Sequence, residues 1–514
     1  MSAGNVPRPP ALRASLTAAV AAVALLLASC SVGTEPDVTT SADPQIVGDV
    51  PAELRDFYTQ AVTWSSCNGG FQCAEVEVPL DYDAPKTDSI KISAIRLPAS
   101  GNKMGSMLVN PGGPGGSGVN MVKDGARSYF SDKLRKSYDV VGFDPRGVQR
   151  SAGVKCLSDE QMDASRQLSF DLSNDADFAR AQAESRKQSE LCVQNSGDVL
   201  EHVDTASSAR DMDILRAVVG DKALNYMGFS YGTKLGATYA GLFPERVGKF
   251  SLDGAMDPTL DIDQVSMGQA VGFENALGAW VEDCLSGADC PVTGTKEQAL
   301  GQIRSLQEIY TQTPQQTPQN RVVTGTEFTN AIAFAMYSTD LWEPLKGALA
   351  QAVAGDASGM LLLTDYSADR DPEGRYNSNT AAAFTAINCL DYPMNSDLAH
   401  MREQSKLLQE AAPTFGGLLG YSGLSCTGWP HEPTGTLEPI AAAGAGPILV
   451  IGTTGDPATP YQWSKALAGQ LDSGVLVSWE GEGHTAYGRA NECLTSLVDA
   501  YFVDGTVPAS GTSC

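Results

Sequence analysis

The stretch Leu224-Asn-Tyr-Met-Gly-Phe-Ser-Tyr-Gly-Thr233 runs from the end of an apolar strand into Leu235, Ala237, Tyr239 and Ala240, which open a helix able to pack on a sheet. A serine between two glycines at this spacing describes a strand-to-helix turn that holds a nucleophilic hydroxyl at its tip. The backbone of such a turn is strained, and a side chain at Gly228 or Gly232 would collide with the neighbouring strand and helix. Ser230 is therefore read as a nucleophile.

A nucleophilic serine needs a base and an acid, and in this design the chain order is serine, acid, histidine. The chain has only four histidines. His484 follows the apolar run Val475 to Trp479 and the loop Glu480-Gly-Glu-Gly483, whereas His202, His400 and His431 lie in polar stretches with no strand before them. His484 is expected to be the base. The run Pro447 to Ile451 opens through Gly452-Thr-Thr-Gly455 into Asp456, which is expected to hold one ring nitrogen so that the other accepts the serine proton. Asp253, after the strand-like run Val247 to Leu252, is the second candidate acid, and Thr459 with Pro460 is read as shaping the Asp456 loop.

Developing negative charge on the substrate oxygen requires two backbone N–H donors, one of them from the residue after the nucleophile, Tyr231. The second is expected from the loop Asn110-Pro-Gly-Gly-Pro-Gly-Gly-Ser-Gly118, where absent side chains let the backbone approach closely. Gly113 is the chosen donor with Gly112 next, since Pro114 has no N–H to give. The loop lacks the Gly-Lys-Ser/Thr ending of a phosphate cradle.

Taken together these segments resemble the secreted aminopeptidases of the α/β-hydrolase fold, the tripeptidyl and prolyl aminopeptidase group of actinobacteria. The likeness rests on residues 112–116, on Gly142-Phe-Asp-Pro-Arg-Gly-Val-Gln-Arg-Ser151, on Gly228 to Thr233 leading to Phe243-Pro-Glu-Arg246, and on Gly455-Asp-Pro-Ala-Thr-Pro460. The C-terminal stretch with Gly483-His484, Cys493, Tyr501, Gly505, Pro508, Gly511 and Cys514 is similar to the family's tripeptidyl-aminopeptidase-like region. Pro111 stands where prolyl iminopeptidases usually carry histidine, which favours the tripeptidyl branch. The resemblance implies an α/β-hydrolase fold with a mostly parallel central sheet, an inserted cap that sets substrate length and specificity, and release of short peptides from free N-termini. A carboxylesterase using the same three residues, and a catalytically silent envelope lipoprotein, are the competing readings.

Arg8 and Arg13 precede an apolar run from Leu16 to Ala28, interrupted only by Thr17, with no carboxylate before Glu35. At 13 residues the run is too short to span a bilayer as a mature helix and reads as a signal peptide. Leu27-Ala28-Ser29-Cys30 resembles a bacterial lipobox, which implies lipidation at Cys30 and anchorage to the outer face of the cell membrane. Removing Cys30 from 11 cysteines leaves ten, an even number suited to an oxidising compartment. Proximity in the chain points to Cys67 with Cys73, Cys156 with Cys192, Cys284 with Cys290, Cys389 with Cys426 and Cys493 with Cys514.

A net charge of −26 argues against nucleic acid as a partner. No metal-binding motif is present and no cofactor is expected. An aminopeptidase must capture a free α-amine, and Asp391, by its position in the inserted region, is the candidate carboxylate. The organisation expected is a signal peptide over 1–29, a lipidated polar tether over 30–50, a hydrolase core over 51–258, a mainly helical cap over 259–435, and the C-terminal part of the core over 436–514. Glu75 to Val78 and Ile90 to Leu97 read as antiparallel strands, Met107 to Val109 and Tyr138 to Phe143 as buried parallel ones, and Ala299 to Tyr310 and Phe328 to Tyr337 as helices.

Overall fold

The computed structural model describes residues 37–514 except Asn68, so the expected signal peptide and Cys30 lie outside the described residues. Residues 37–514 form one compact unit. Its frame is an eleven-stranded sheet. In chain order the strands are β1 (Val38–Ser41), β2 (Ala61–Cys67), β3 (Phe71–Pro79), β4 (Ser89–Leu97), β5 (Gly105–Asn110), β6 (Tyr138–Phe143), β7 (Leu224–Phe229) and β8 (Val247–Asp253). A small separate ribbon, β9 (Gln315–Gln316) with β10 (Val322–Val323), comes next, and β11 (Ile448–Gly455), β12 (Gly474–Glu482) and β13 (Thr512–Ser513) complete the main sheet.

The spatial order is β1-β2-β3-β4-β6-β5-β7-β8-β11-β12-β13. Pairing is antiparallel from β1 to β6 and parallel from β6 onward. This is the α/β-hydrolase architecture, and the strands that lead to Ser230, Asp456 and His484 (β7, β11 and β12) all lie in its parallel half, with β8 between β7 and β11. Alternation along β5 shows why it is buried throughout: Leu108 joins the apolar layer of Leu215, Leu235 and Val450 on one face, and Met107 and Val109 join Val122, Ile451 and Val477 on the other.

Part of the stretch expected as a polar tether over 30–50 has regular structure. Val38 to Ser41 pair with β2 in the register Thr39 to Thr63, because consecutive β-branched residues fit an extended edge. The motif Gly142 to Ser151 has a structural role. Arg146 is fully buried, bonds both oxygens of Asp211 at 2.7 and 2.8 Å, and donates to the carbonyls of Pro79, Leu80 and His202.

Between β8 and β11 the regular structure is helical apart from the β9–β10 ribbon, and it includes Ile262–Ser286, Lys296–Gln312, Gly325–Met336, Trp342–Val353, Ser358–Ser367 and Thr380–Asp391. Trp280, Ile303, Phe328, Ile332, Leu349 and Met360 give it an apolar core of its own. A second helical stretch, Asp159–Arg166 and Asp175–Ser196, follows β6 and joins this layer. Arg166 pairs with Glu327 at 2.7 Å and Asp365 at 2.9 Å, and Arg370 pairs with Asp163 at 2.7 Å. Disulfides join Cys67 to Cys73, Cys156 to Cys192, Cys284 to Cys290, Cys389 to Cys426, and Cys493 to Cys514.

Candidate active site

Ser230 sits between β7 and the helix Tyr231–Leu242 with φ of 57° and ψ of −126°, a conformation that L-residues adopt only under constraint. Tight packing enforces it. A Cβ at Gly228 would lie 2.3 Å from the Gly232 carbonyl oxygen, and one at Gly232 would lie 2.8 Å from that of Asn110. The Ser230 N–H donates to the Asp253 carbonyl at 2.9 Å, which fastens the turn to the end of β8.

Asp456 and His484 meet at the ends of β11 and β12. His484 Nδ1 lies 2.9 and 3.0 Å from the two Asp456 carboxylate oxygens, and both residues are buried. The carboxylate also accepts the N–H groups of Ala458, Thr459 and Thr485 and the Thr459 hydroxyl. Its orientation is thus set by donors on both sides. Thr459 Oγ1 is 3.4 Å from Nδ1, so it buttresses the pair. Gly254 brings this pair to the nucleophile: it follows Asp253, whose carbonyl holds Ser230, and a Cβ on it would be 3.3 Å from His484 Cε1. Serine and imidazole therefore flank the same short segment.

The glycine-rich loop backs directly onto the elbow, since a Cβ on Gly112 would be 2.4 Å from the Phe229 carbonyl oxygen and 2.8 Å from Ser230 Cβ. The Gly112 N–H is taken by Asn110 Oδ1 at 2.9 Å. Among the described residues the N–H groups of Gly113 and Tyr231 have no protein acceptor, which leaves both available to a substrate oxygen.

Asp253 is fully buried but does not touch His484 by hydrogen bond. Its carboxylate accepts from the N–H of Ala486 at 3.0 Å and of Tyr487 at 2.7 Å, holding the loop that carries the histidine. That loop needs holding, because Thr485 has φ of 65°, a strained conformation for a β-branched residue. Burial pushes the Asp253 carboxyl up to about 6 against those backbone donors. A carboxyl raised from about 3.8 binds its proton more tightly in the folded state, so stability falls as pH climbs from about 4 to about 6. The loss is about 3 kcal/mol at about 1.4 kcal/mol per pH unit, or about 3 °C in Tm for a chain of this size. Melting curves at pH 4 and pH 7 will show wild type losing that much relative to Asp253→Asn, which cannot titrate; parallel behaviour of the two proteins would refute it.

Asp391 does not meet a substrate amine. It is 2% exposed, its oxygens accept from the Thr205 N–H at 3.0 Å and hydroxyl at 2.5 Å, and Lys234 Nζ lies 3.2 Å away over the Tyr392 ring. The expectation is corrected for a physical reason: burial tends to discharge Lys234, and Asp391 together with Tyr392 more than offsets it, so the carboxylate is committed to an internal pair. Thr205 also bonds the Tyr231 hydroxyl, which ties the pair to the residue after the nucleophile. Asp391→Ala leaves a buried ammonium and is expected to lower stability by about 3–5 kcal/mol, with Lys234→Met restoring much of it. A raised KM with an unchanged Tm would contradict this.

One contact had no signal in the sequence. The His484 backbone N–H donates to the carbonyl of Tyr337 at 2.9 Å, and the two rings meet edge to face at 5.3 Å. Arg489 donates to the same carbonyl and to that of His484. Any residue can offer a carbonyl, so only tertiary packing reveals this one.

The fold and this site define an α/β-hydrolase with a serine at its nucleophile elbow. Residues 412–514 match the family described as TAP-like protein. The chain is 35% identical to serine protease Hip1 of Mycobacterium tuberculosis over 524 residues, covering 97% of this chain and 96% of that protein. It is 35% identical to carboxylesterase B of the same species over 517 residues, 98% of each, and 29% identical to a tripeptidyl aminopeptidase of Streptomyces coelicolor over 470 residues, 88% of this chain and 86% of that one. The chain belongs to the TAP-like family of α/β-hydrolases and is a serine hydrolase.

Proposed function

We propose that the protein is an extracytoplasmic serine exopeptidase that releases short peptides, tripeptides by preference, from free N-termini. Ser230 attacks the scissile carbonyl, His484 takes its proton and passes it to the leaving amine, and Asp456 keeps the imidazole in the tautomer that does so. Tyr231 and Gly113 N–H groups stabilise the oxyanion, and water then releases the acyl-enzyme. The observation that carries this reading is the buried Asp456–His484 pair set against the segment that holds Ser230. The relatives named serine protease and tripeptidyl aminopeptidase support peptides as substrates. Cys30 is proposed to carry a lipid that anchors the enzyme outside the cell membrane, to be tested by fatty-acid labelling of wild type and Cys30→Ala.

The relative named carboxylesterase B favours a second reading, hydrolysis of esters by the same residues. A matched set of fluorogenic mono-, di- and tripeptides with free and acetylated N-termini, run beside acyl esters, separates the two. Cleavage of free-amine tripeptides that acetylation abolishes supports the exopeptidase; turnover of esters alone establishes the esterase.

A further inference from the structure

Tyr337 follows the last residue of the helix Gly325–Met336 and leans on His484 through both carbonyl and ring. An apolar strip leads away from it. Phe334 lies one turn earlier on the same helix, and its ring is 5.6 Å from that of Tyr366 on the helix Ser358–Ser367. Leu362 lies one turn before Tyr366. Tyr366 is 74% and Leu362 71% exposed, and neither belongs to the apolar core of the helical layer. Two large apolar side chains this exposed, one turn apart on one helix face and joined to Phe334, make a contiguous apolar patch of the kind that marks an interaction surface. The charges beside them are already satisfied: Asp365 pairs with Arg166, Arg321 and Arg370. The strip therefore offers apolar contact and no free charge of its own.

We infer that this strip carries the peptide chain on the leaving side of the scissile bond and selects bulky apolar side chains in the first residues after the cut. The inference deepens the exopeptidase reading and rests on it. The direction follows from the proton. His484 protonates the leaving nitrogen, so the departing chain emerges beside the imidazole, and Tyr337 is the group seated against that ring from the helical layer. The acyl half of the substrate is held elsewhere, at the donors Tyr231 and Gly113, where the glycine-rich loop abuts another helix: a Cβ on Gly115 would touch Thr380, Ala383 and Phe384. Continuity with the histidine makes the occupant the substrate chain.

The test uses quenched fluorescent peptides with one cleavable N-terminal tripeptide and, after the cut, Leu-Phe, Gly-Ser or Glu-Glu. A tripeptide ester with a small leaving group serves as reference. Wild type is expected to show kcat/KM about tenfold or more higher for Leu-Phe than for Gly-Ser. In Leu362→Ser/Tyr366→Ser this ratio collapses towards one, whereas Val353→Ser, an exposed apolar site outside the strip, keeps it. A flat series in wild type, or an undiminished ratio in the double variant, overturns the inference while cleavage of the tripeptide leaves the exopeptidase intact. An undiminished ratio with altered sedimentation of the double variant assigns the strip to self-association and likewise overturns it. If wild type cleaves esters and no free-amine peptide, the exopeptidase reading fails and the inference with it.

Discussion

Ser230→Ala is expected to lower kcat on every peptide and ester substrate by on the order of 10⁵–10⁶-fold, and combining it with changes at His484 or Asp456 is expected to make matters little worse. In the proposed mechanism the three residues act as one unit, so removing the hydroxyl leaves nothing for the imidazole to deprotonate. Residual turnover is then expected from binding and from the proposed Gly113 and Tyr231 donors alone. The fold is expected to survive. The side chain is the only group removed, the Ser230 N–H still binds the Asp253 carbonyl, and the elbow is imposed by the packing of Gly228 and Gly232. Loss of fluorophosphonate labelling with an unchanged Tm is the expected pair of observations. Retained turnover would move the nucleophile elsewhere.

Asp456→Asn is expected to cost on the order of 10⁴-fold in kcat with a much smaller change in KM. The carboxylate accepts three backbone N–H groups, the Thr459 hydroxyl and the imidazole N–H. An amide has one acceptor oxygen for these donors and turns its own N–H towards the rest. With the oxygen kept by the backbone groups, the amide donates to Nδ1, and the imidazole proton moves to the nitrogen that should accept from Ser230. The base is then in the wrong tautomer. Recovery of activity at high pH, or a loss below tenfold, would mean that Asp456 serves only to shape its loop.

The elbow, the glycine-rich loop and the strands that lead to Asp456 and His484 were legible because each is a local demand written in neighbouring residues. A backbone oxygen 2.3 Å from a notional Cβ permits only glycine, and a buried strand ending in a loop shows as an apolar run followed by glycine and polar groups. The helix expected over 299–310 lies within Lys296–Gln312, and the one expected over 328–337 is Gly325–Met336, ending one residue sooner, for the same reason, their apolar residues recurring at helical spacing. The choice of Gly113 ahead of Gly112 had no side-chain signal to rest on, since both are glycines; in the structure the Asn110 amide oxygen takes the Gly112 N–H. Asp253 looked like an acid because it ends a strand beside the site, and it is turned to the Ala486 and Tyr487 amides instead.

The order of amino acids by itself determined the α/β-hydrolase frame, the elbow serine and the positions of its candidate acid and base, because strained turns and buried strands constrain residue type over a few consecutive positions. Only the tertiary structure decided that Asp391 is spent on Lys234 and on Thr205, 186 positions away, and that the helical layer holds His484 through a backbone carbonyl. A carboxylate reads the same in sequence whether it meets water or a buried ammonium, and a carbonyl belongs to every residue. Their roles exist only once folding has chosen their partners.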